Sequence, residues 1–296
     1  MKQDVEHTCR TCSLCQKCKK VRKKYGKLPA REVDSTPWER VNVDLIGPWS
    51  VKTPTKTHTL NALTIIDPAT SWFEIIEVKD TTAATVAAAF DDAWLSRYPR
   101  PHYVGYDGGS ENKREFKQMI IDYGLEGKPT TAYNPQGNSV LERLHLVIGD
   151  MLRTFELEER ELDDTSNTMW SEFLSSVAFA VRATYHTTLQ ASPAQLVFGR
   201  DMILPITYAA DWDLIKRTRQ EEINKNNRCE NKSRVAHNYQ INDKVFLRKE
   251  GHIRKLSAPR TGPHKITTIY NNGTLRIQRG AISERVNIWR ITPCFG

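Results

Sequence analysis

The chain has 296 residues, a mass of 34.0 kDa and 39% hydrophobic residues, enough for one sizeable core plus smaller modules, so two or three domains are expected and disorder throughout is excluded. No run reaches the eighteen or more consecutive apolar residues of a membrane-spanning helix, and the N-terminus is charged and Cys-rich where a signal segment would be apolar, so the sequence reads as a soluble intracellular protein. The net charge of +8 is unevenly placed: residues 1–31 carry ten Lys/Arg against two Asp/Glu, residues 32–240 twenty-two against thirty, and residues 241–296 eleven against three. Basic ends attract polyanions and an acidic middle suits a divalent cation, a pattern that points to an enzyme acting on nucleic acid.

Cys9, Cys12, Cys15 and Cys18 stand three residues apart and lead into a basic run from Lys17 to Lys27. In a chain of this kind the spacing favours metal over disulfides. An iron–sulfur cluster lacks a second cysteine group or a following Pro. A self-contained zinc site leaves little room for a knuckle between ligand pairs. The favoured reading is that Cys12 and Cys15 are half of a zinc site whose other ligands lie before Met1.

From Val41 the pattern alternates through Asp44 and Leu45 to Gly47-Pro48, which predicts a strand ending at that dipeptide. An acid in an apolar strand is costly to bury without a partner or metal, which makes Asp44 a functional candidate. Leu60 to Ile66 and Trp72 to Val78 read as a hairpin around Asp67-Pro68-Ala69-Thr70, where Asp67 serves the turn. The Ala-rich stretch Thr82 to Tyr98 predicts a helix stopped by Pro99. A short strand then ends at Asp107, beside Gly108 and Gly109, and a further helix covers Lys113 to Tyr123.

A brief segment at Lys128 to Ala132 leads into Tyr133-Asn134-Pro135-Gln136-Gly137-Asn138, a loop, and then a helix with apolar residues at Leu141, Leu144, Ile148, Met151 and Leu152. Glu142 falls in that helix's first turn. Ser139-x-x-Glu142 also fits a capping box, which needs no chemistry. Met169 to Thr187 predicts a helix packed on the core, and residues 201–240 a helical linker. From Ile241 the period changes to two, with turns at Gly262-Pro263 and Asn271-Asn272-Gly273, as in a small all-β barrel.

Strands and helices in this order predict an α/β mixed sheet covered by helices. Asp44 and Asp107 are then two strand acids, and Glu142 is one at a helix start. Three converging acids repel one another, and two-metal phosphoryl transfer is the chemistry that needs them.

The motifs resemble those of the DDE integrases of retroviruses and of gypsy-class LTR retrotransposons. Val43-Asp44-Leu45-Ile46-Gly47-Pro48 is similar to the family's first acid motif, Asp107-Gly108-Gly109 to its second, and Asn134-Pro135-Gln136 through Glu142-Arg143 to its third. Asp107 and Glu142 are one residue closer than the family's usual spacing. Phe198-Gly199-Arg200 with Leu204-Pro205 resembles the segment that follows the catalytic core. Cys12-x2-Cys15-Gln16 resembles the second half of a His-His-Cys-Cys zinc domain, with His7 too close to serve as a ligand. Gly262-Pro263-His264 resembles a Gly-Pro-aromatic motif, with His in the aromatic's place.

The resemblance implies an RNase H-like catalytic core at residues 36–200, preceded by a remnant zinc domain and basic linker at 1–35. A helical linker at 201–240 and an SH3-like barrel at 241–296, binding DNA or chromatin, would follow. It implies that Asp44, Asp107 and Glu142 hold Mg²⁺ or Mn²⁺, that Tyr133, Gln136, Asn138 and Arg143 contact DNA, and that Zn²⁺ binds if an upstream His pair is present. The reactions implied are 3′-end trimming and strand transfer. Double-stranded DNA, further copies of the chain and a chromatin partner would be the partners, with no membrane, and the nucleus the site of action. Alternatives are an RNase H-like nuclease that cuts without joining, and a decayed or domesticated nucleic-acid-binding copy.

Overall fold

The computed structural model describes residues 1–19, 21, 23–52, 57–107, 109, 114–129, 139–154, 167–249 and 253–295, without the side chains at 51, 52, 57, 58, 139 and 167–169. In chain order the elements begin with helices α1 (Lys2–Thr11) and α2 (Ser13–Cys18) and strand β1 (Lys24–Tyr25). Strands β2 (Arg40–Lys52), β3 (Thr57–Ile66) and β4 (Phe73–Val78) follow, then helix α3 (Ala83–Phe90), which continues into a π-helical turn at Asp91–Leu95. After these come β5 (Tyr103–Tyr106), α4 (Glu115–Asp122), β6 (Glu126–Pro129), α5 (Ser139–Thr154), α6 (Asn167–Ala183), α7 (Pro193–Phe198) and α8 (Trp212–Lys232). The chain closes with β7 (Arg234–Val235), β8 (Lys244–Arg248), β9 (Arg260–Ile269), β10 (Thr274–Arg279), β11 (Ile282–Asn287) and β12 (Ile291–Pro293). Two compact units result, one of Val33–Arg219 and one of Met1–Glu32 with Gln220–Gly296.

In the larger unit the sheet order is β4-β3-β2-β5-β6. β3 lies antiparallel to both β2 and β4, while β2, β5 and β6 run parallel. Alternation of side chains sends Val41 and Val43 of β2, Leu63 and Ile65 of β3 and Val104 of β5 to one face, where they meet Val86 and Phe90 of α3 and Phe116 and Ile120 of α4. The other face presents Ala62, Ile66, Phe73 and Ile75 to Leu141 and Ile148 of α5 and to Trp170, Phe173 and Val177 of α6. Helices therefore cover both faces of a mixed sheet, an RNase H-like arrangement, and the expected packing of the Met169 to Thr187 region on the core is realised in α6.

Strand β2 runs on past Gly47-Pro48, where the sequence pattern predicts its end. The ladder to β3 shifts register between Ile46 and Trp49. A proline that cannot donate to the ladder is accommodated at such a bulge. Gly47 has φ +113, and a Cβ there would lie 2.8 Å from the Leu60 carbonyl oxygen, so this position requires glycine.

At the β3–β4 hairpin, buried Asp67 accepts from the Ala69 amide (2.9 Å), the Thr70 hydroxyl (2.7 Å) and the Trp38 amide (3.3 Å). Burial raises its carboxyl above the ordinary range, against the lowering effect of these hydrogen bonds. Arg219 donates to the carbonyls of Ala69 (2.8 Å) and Pro68 (2.6 Å). The turn role expected for Asp67 is what the structure gives it.

In the smaller unit the sheet order is β11-β10-β9-β8-β12 with every pairing antiparallel. Val245, Leu247, Ile266, Leu275, Ile277 and Val286 form its core. Here the expected barrel is corrected. Among the described residues β11 and β12 are the two edges and do not pair, so the SH3-like sheet is not a closed barrel. A period of two with spaced turns predicts strands but carries no information on closure, which depends on those edges meeting.

The N-terminal segment packs into this unit. The Gln16 amide donates to the Phe295 carbonyl (2.6 Å) and accepts from the Phe295 amide (2.9 Å). Arg260 donates to the carbonyls of Gln16 (2.7 Å) and Lys19 (2.8 Å), closing the end of α2. Asn231 bonds both backbone groups of Leu28 at 2.9 Å, and β1 pairs with β7.

Candidate active site

Asp44 and Asp107 reach the same place by register. The parallel ladder of β2 and β5 pairs Arg40 with Tyr103, Val41 with Val104 and Asn42 with Gly105. Each acid lies two residues beyond the last of these pairs, on the face opposite the Val41 and Val104 side chains. Adjacent strands are about 4.8 Å apart, so the two carboxylates leave one face side by side, Asp44 from within β2 and Asp107 from just past the end of β5. Gly105 permits this close pairing, because a Cβ there would meet the Asn42 side-chain oxygen at 2.3 Å.

The Asp44 side chain is 23% exposed, and its Oδ1 accepts from the Leu45 amide at 3.0 Å. Its direct partner across β3 is Thr64, fully buried. The Thr64 hydroxyl donates to the Asp44 carbonyl at 2.8 Å and lies 2.9 Å from His145 Nε2. His145 Nδ1 is 4.0 Å from Asp44 Oδ2, and the ring is 18% exposed. Burial lowers the His145 pKa to about 4, so the ring is neutral at pH 7. On the second strand, Asp107 Oδ1 accepts from the Gly109 amide at 2.9 Å, a local turn that ties the carboxylate to the strand end.

Glu142 lies in the first turn of α5, exposed, one helical turn before His145. Residues three apart share a helix face, so the side chain that reaches Asp44 and the third acid leave α5 on the same side. The capping reading rests on the Ser139 side chain, which lies outside the described residues. Arg143 is exposed on the same turn. Tyr133, Gln136 and Asn138 lie outside the described residues.

Among the described residues no group of three or more His, Cys, Asp or Glu side chains is arranged to hold a metal ion. The structure places Asp44 within β2 beside Asp107 just past the end of β5, and α5 carries Glu142 along the same face. The donor chemistry fits a hard divalent cation, since two aspartates and a glutamate supply oxygen ligands alone. At the N-terminus, Cys12 accepts from the Cys15 amide and thiol, which holds the Cys12 thiol below its ordinary range, and Lys19 Nζ approaches Cys9 Sγ at 3.3 Å. Cys12 and Cys15 are thus neighbours, with no further pair of metal ligands beside them among the described residues.

Sequence reasoning passed over Thr64. The signal was present: Thr64 is a hydroxyl on the face of β3 that otherwise presents Ala62 and Ile66, and a buried hydroxyl must find a partner.

No family model matches the chain. Over 265 residues it is 26% identical to the retrovirus-related Pol polyprotein from transposon 412 of Drosophila melanogaster, covering 81% of this chain and 20% of that protein. It is 28% identical over 188 residues to the Pro-Pol polyprotein of feline foamy virus, covering 63% of this chain and 15% of the relative. The chain thus spans a fifth or less of the length of these curated relatives. Among solved structures, the simian T-cell lymphotropic virus intasome in complex with PP2A regulatory subunit B56 gamma contains a chain that aligns with TM-score 0.65 and 13% identity, over 99% of this chain and 91% of that one. At that identity the likeness shows the fold alone.

Proposed function

We propose that this chain, whose relatives and fold fit a retroviral-type integrase, cuts and joins DNA phosphodiesters with Asp44, Asp107 and Glu142 as the acids of its active site. The observation that supports this most is the register of β2 and β5, which sends Asp44 and Asp107 from adjacent parallel strands toward the face covered by the Glu142 helix. Mg²⁺ or Mn²⁺ is the cation these ligands suit, and when bound it supplies Lewis-acid polarisation of the phosphoryl oxygens and of the attacking hydroxyl.

The chain's own residues position the rest. β2, braced by β3 through Thr64, holds Asp44 at the sheet, and the Gly109 amide holds Asp107. α5 presents Glu142 and, beside it, Arg143, whose guanidinium suits a phosphate oxygen. Tyr133, Gln136 and Asn138, in the segment leading to α5, are assigned to the DNA end. In the first reaction water attacks a phosphodiester near the DNA 3′ end: a new P–O bond forms to the water oxygen, the bond to the retained strand's 3′-oxygen breaks, and a short fragment leaves with a 5′-phosphate while the retained strand keeps a free 3′-hydroxyl. In the second, the exposed 3′-hydroxyl attacks a target phosphodiester and the displaced 3′-oxygen leaves, so that one P–O bond replaces another.

Residues 36–200 are read as the catalytic core and residues 241–296 as a DNA- or chromatin-binding module. Double-stranded DNA ends and target DNA are the substrates, further copies of the chain the partners in assembly, and the nucleus the site of action. Cys12 and Cys15 complete a zinc site only with a histidine pair upstream. An assay of the purified chain with labelled end-matched duplexes and a supercoiled target tests the reading. Strand-transfer products are expected; cutting without joining would favour a nuclease, and binding alone a decayed copy.

A further inference from the structure

At its β9–β10 turn the smaller unit holds a cavity of about 390 Å³, lined among others by Lys27, His237, Asn238, Tyr270, Thr274 and Ile288. That volume lies in the range of small-ligand sites. One aromatic wall is His237, whose ring stands edge-on to Tyr239 at 4.5 Å between centroids and to Tyr25 at 6.0 Å. Another is Tyr270, with the Arg285 guanidinium 4.2 Å from its ring centroid. A cation on one face of a ring leaves the other face for stacking. Arg285 is itself fixed: its Nε donates to the hydroxyl of buried Thr274 (2.9 Å), which in turn donates to Asn272 Oδ1 (2.6 Å). Directly across the β10–β11 ladder, Arg285 faces Arg276. Like charges at opposed positions destabilise a sheet, and among the described residues no carboxylate pairs with either arginine. An anion shared by the two guanidinium groups offsets that repulsion, and their planar forks suit a phosphate.

We propose that this cavity binds one unpaired nucleotide of a DNA strand, with its base stacked on Tyr270 beside His237 and its phosphate held by Arg285 and Arg276. The inference rests on the functional reading above, in which this unit contacts DNA, and adds that the unit takes a single-stranded end as well as duplex. A paired base has both faces covered by its neighbours in the stack, so only an unpaired one can lay a face on a protein ring. Duplex backbone needs positive charge and no aromatic cavity. An acidic peptide would satisfy the arginines and leave the aromatic walls unused. Asn238 offers a donor and an acceptor to the edge of the base, and Lys27, exposed where it lines the cavity, adds positive charge for the chain of phosphates.

Titration of the full chain with two duplexes of one sequence tests this, one blunt and one with a short single-stranded overhang carrying 2-aminopurine, at a single fixed salt concentration. The wild type is expected to bind the overhang duplex about tenfold more tightly than the blunt one and to quench the 2-aminopurine fluorescence, as stacking on a ring requires. The quenching is a readout independent of how any variant folds. Tyr270→Ala should abolish it and weaken the overhang duplex about tenfold while changing the blunt duplex less than about twofold, and Tyr270→Phe should retain both properties. Quenching that persists in Tyr270→Ala, or an equal loss of affinity for the two duplexes, overturns the inference. The wild type separates the two levels: binding of neither duplex overturns the reading that this chain contacts DNA, whereas binding of the blunt duplex with no gain from the overhang overturns only the nucleotide site.

Discussion

Asp44 is held by groups from its own strand and from a neighbouring one, the Leu45 amide on β2 at its carboxylate and the Thr64 hydroxyl on β3 at its carbonyl, and the His145 ring of α5 lies 4.0 Å from the carboxylate. Only the first is local in sequence. That is why the chain shows Asp44 as a costly acid in an apolar strand yet does not reveal what holds it. His186 shows what burial does to a histidine elsewhere in the same unit. Burial lowers its pKa, so the folded state keeps the ring neutral at pH values where the unfolded chain already binds a proton. Stability is therefore undiminished by this group above the ordinary histidine range, near pH 6.5, and falls as pH drops below it until the folded-state pKa is passed. Chemical denaturation of the wild type and of His186→Gln between pH 7.5 and 5 should show a shallower acid loss in the variant. Equal pH slopes would remove His186 from the acid sensitivity of the fold.

At the scale of elements, the β3–β4 turn depends on a side chain far away in sequence. Arg219, whose burial lowers its own pKa, supplies donors to two carbonyls and positive charge near Asp67. Arg219→Ala leaves those carbonyls without these donors and should cost about 2–3 kcal/mol in chemical unfolding. Arg219→Lys, with one point of charge in place of a planar fork, should recover only part of it. A loss of a few tenths would show that the turn stands on its own local bonds. Much of this level was legible beforehand, because period two and period 3.6 mark β2, the β3–β4 hairpin, α4, α5 and α6. What escaped is set by tertiary contacts: β2 continuing through a bulge at Gly47-Pro48, the helix after Thr82 changing to a π turn at Asp91–Leu95, and the open edges of the C-terminal sheet.

For the whole molecule, charge and architecture coincide. The two basic segments, 1–31 and 241–296, lie at opposite ends of the sequence yet fall in the same compact unit, where Gln16 and Arg260 help to join them. A surface that concentrates cations this way releases counterions on binding DNA. If six or more phosphates are engaged, affinity should fall about a thousandfold or more between about 50 and 200 mM salt. A flat response in a fluorescence-anisotropy titration would deny the unit a role in holding the phosphate backbone. Composition alone located the basic ends, but only the fold shows them assembled in one unit. The acidic middle, by contrast, yields its candidate site through strand register and helix face. The most direct test of the central claim is DNA joining in Mg²⁺ by Glu142→Gln beside the wild type, with DNA binding followed in the same samples. The account predicts joining by the wild type and none by the variant, with binding retained; joining by Glu142→Gln at the wild-type rate would contradict it.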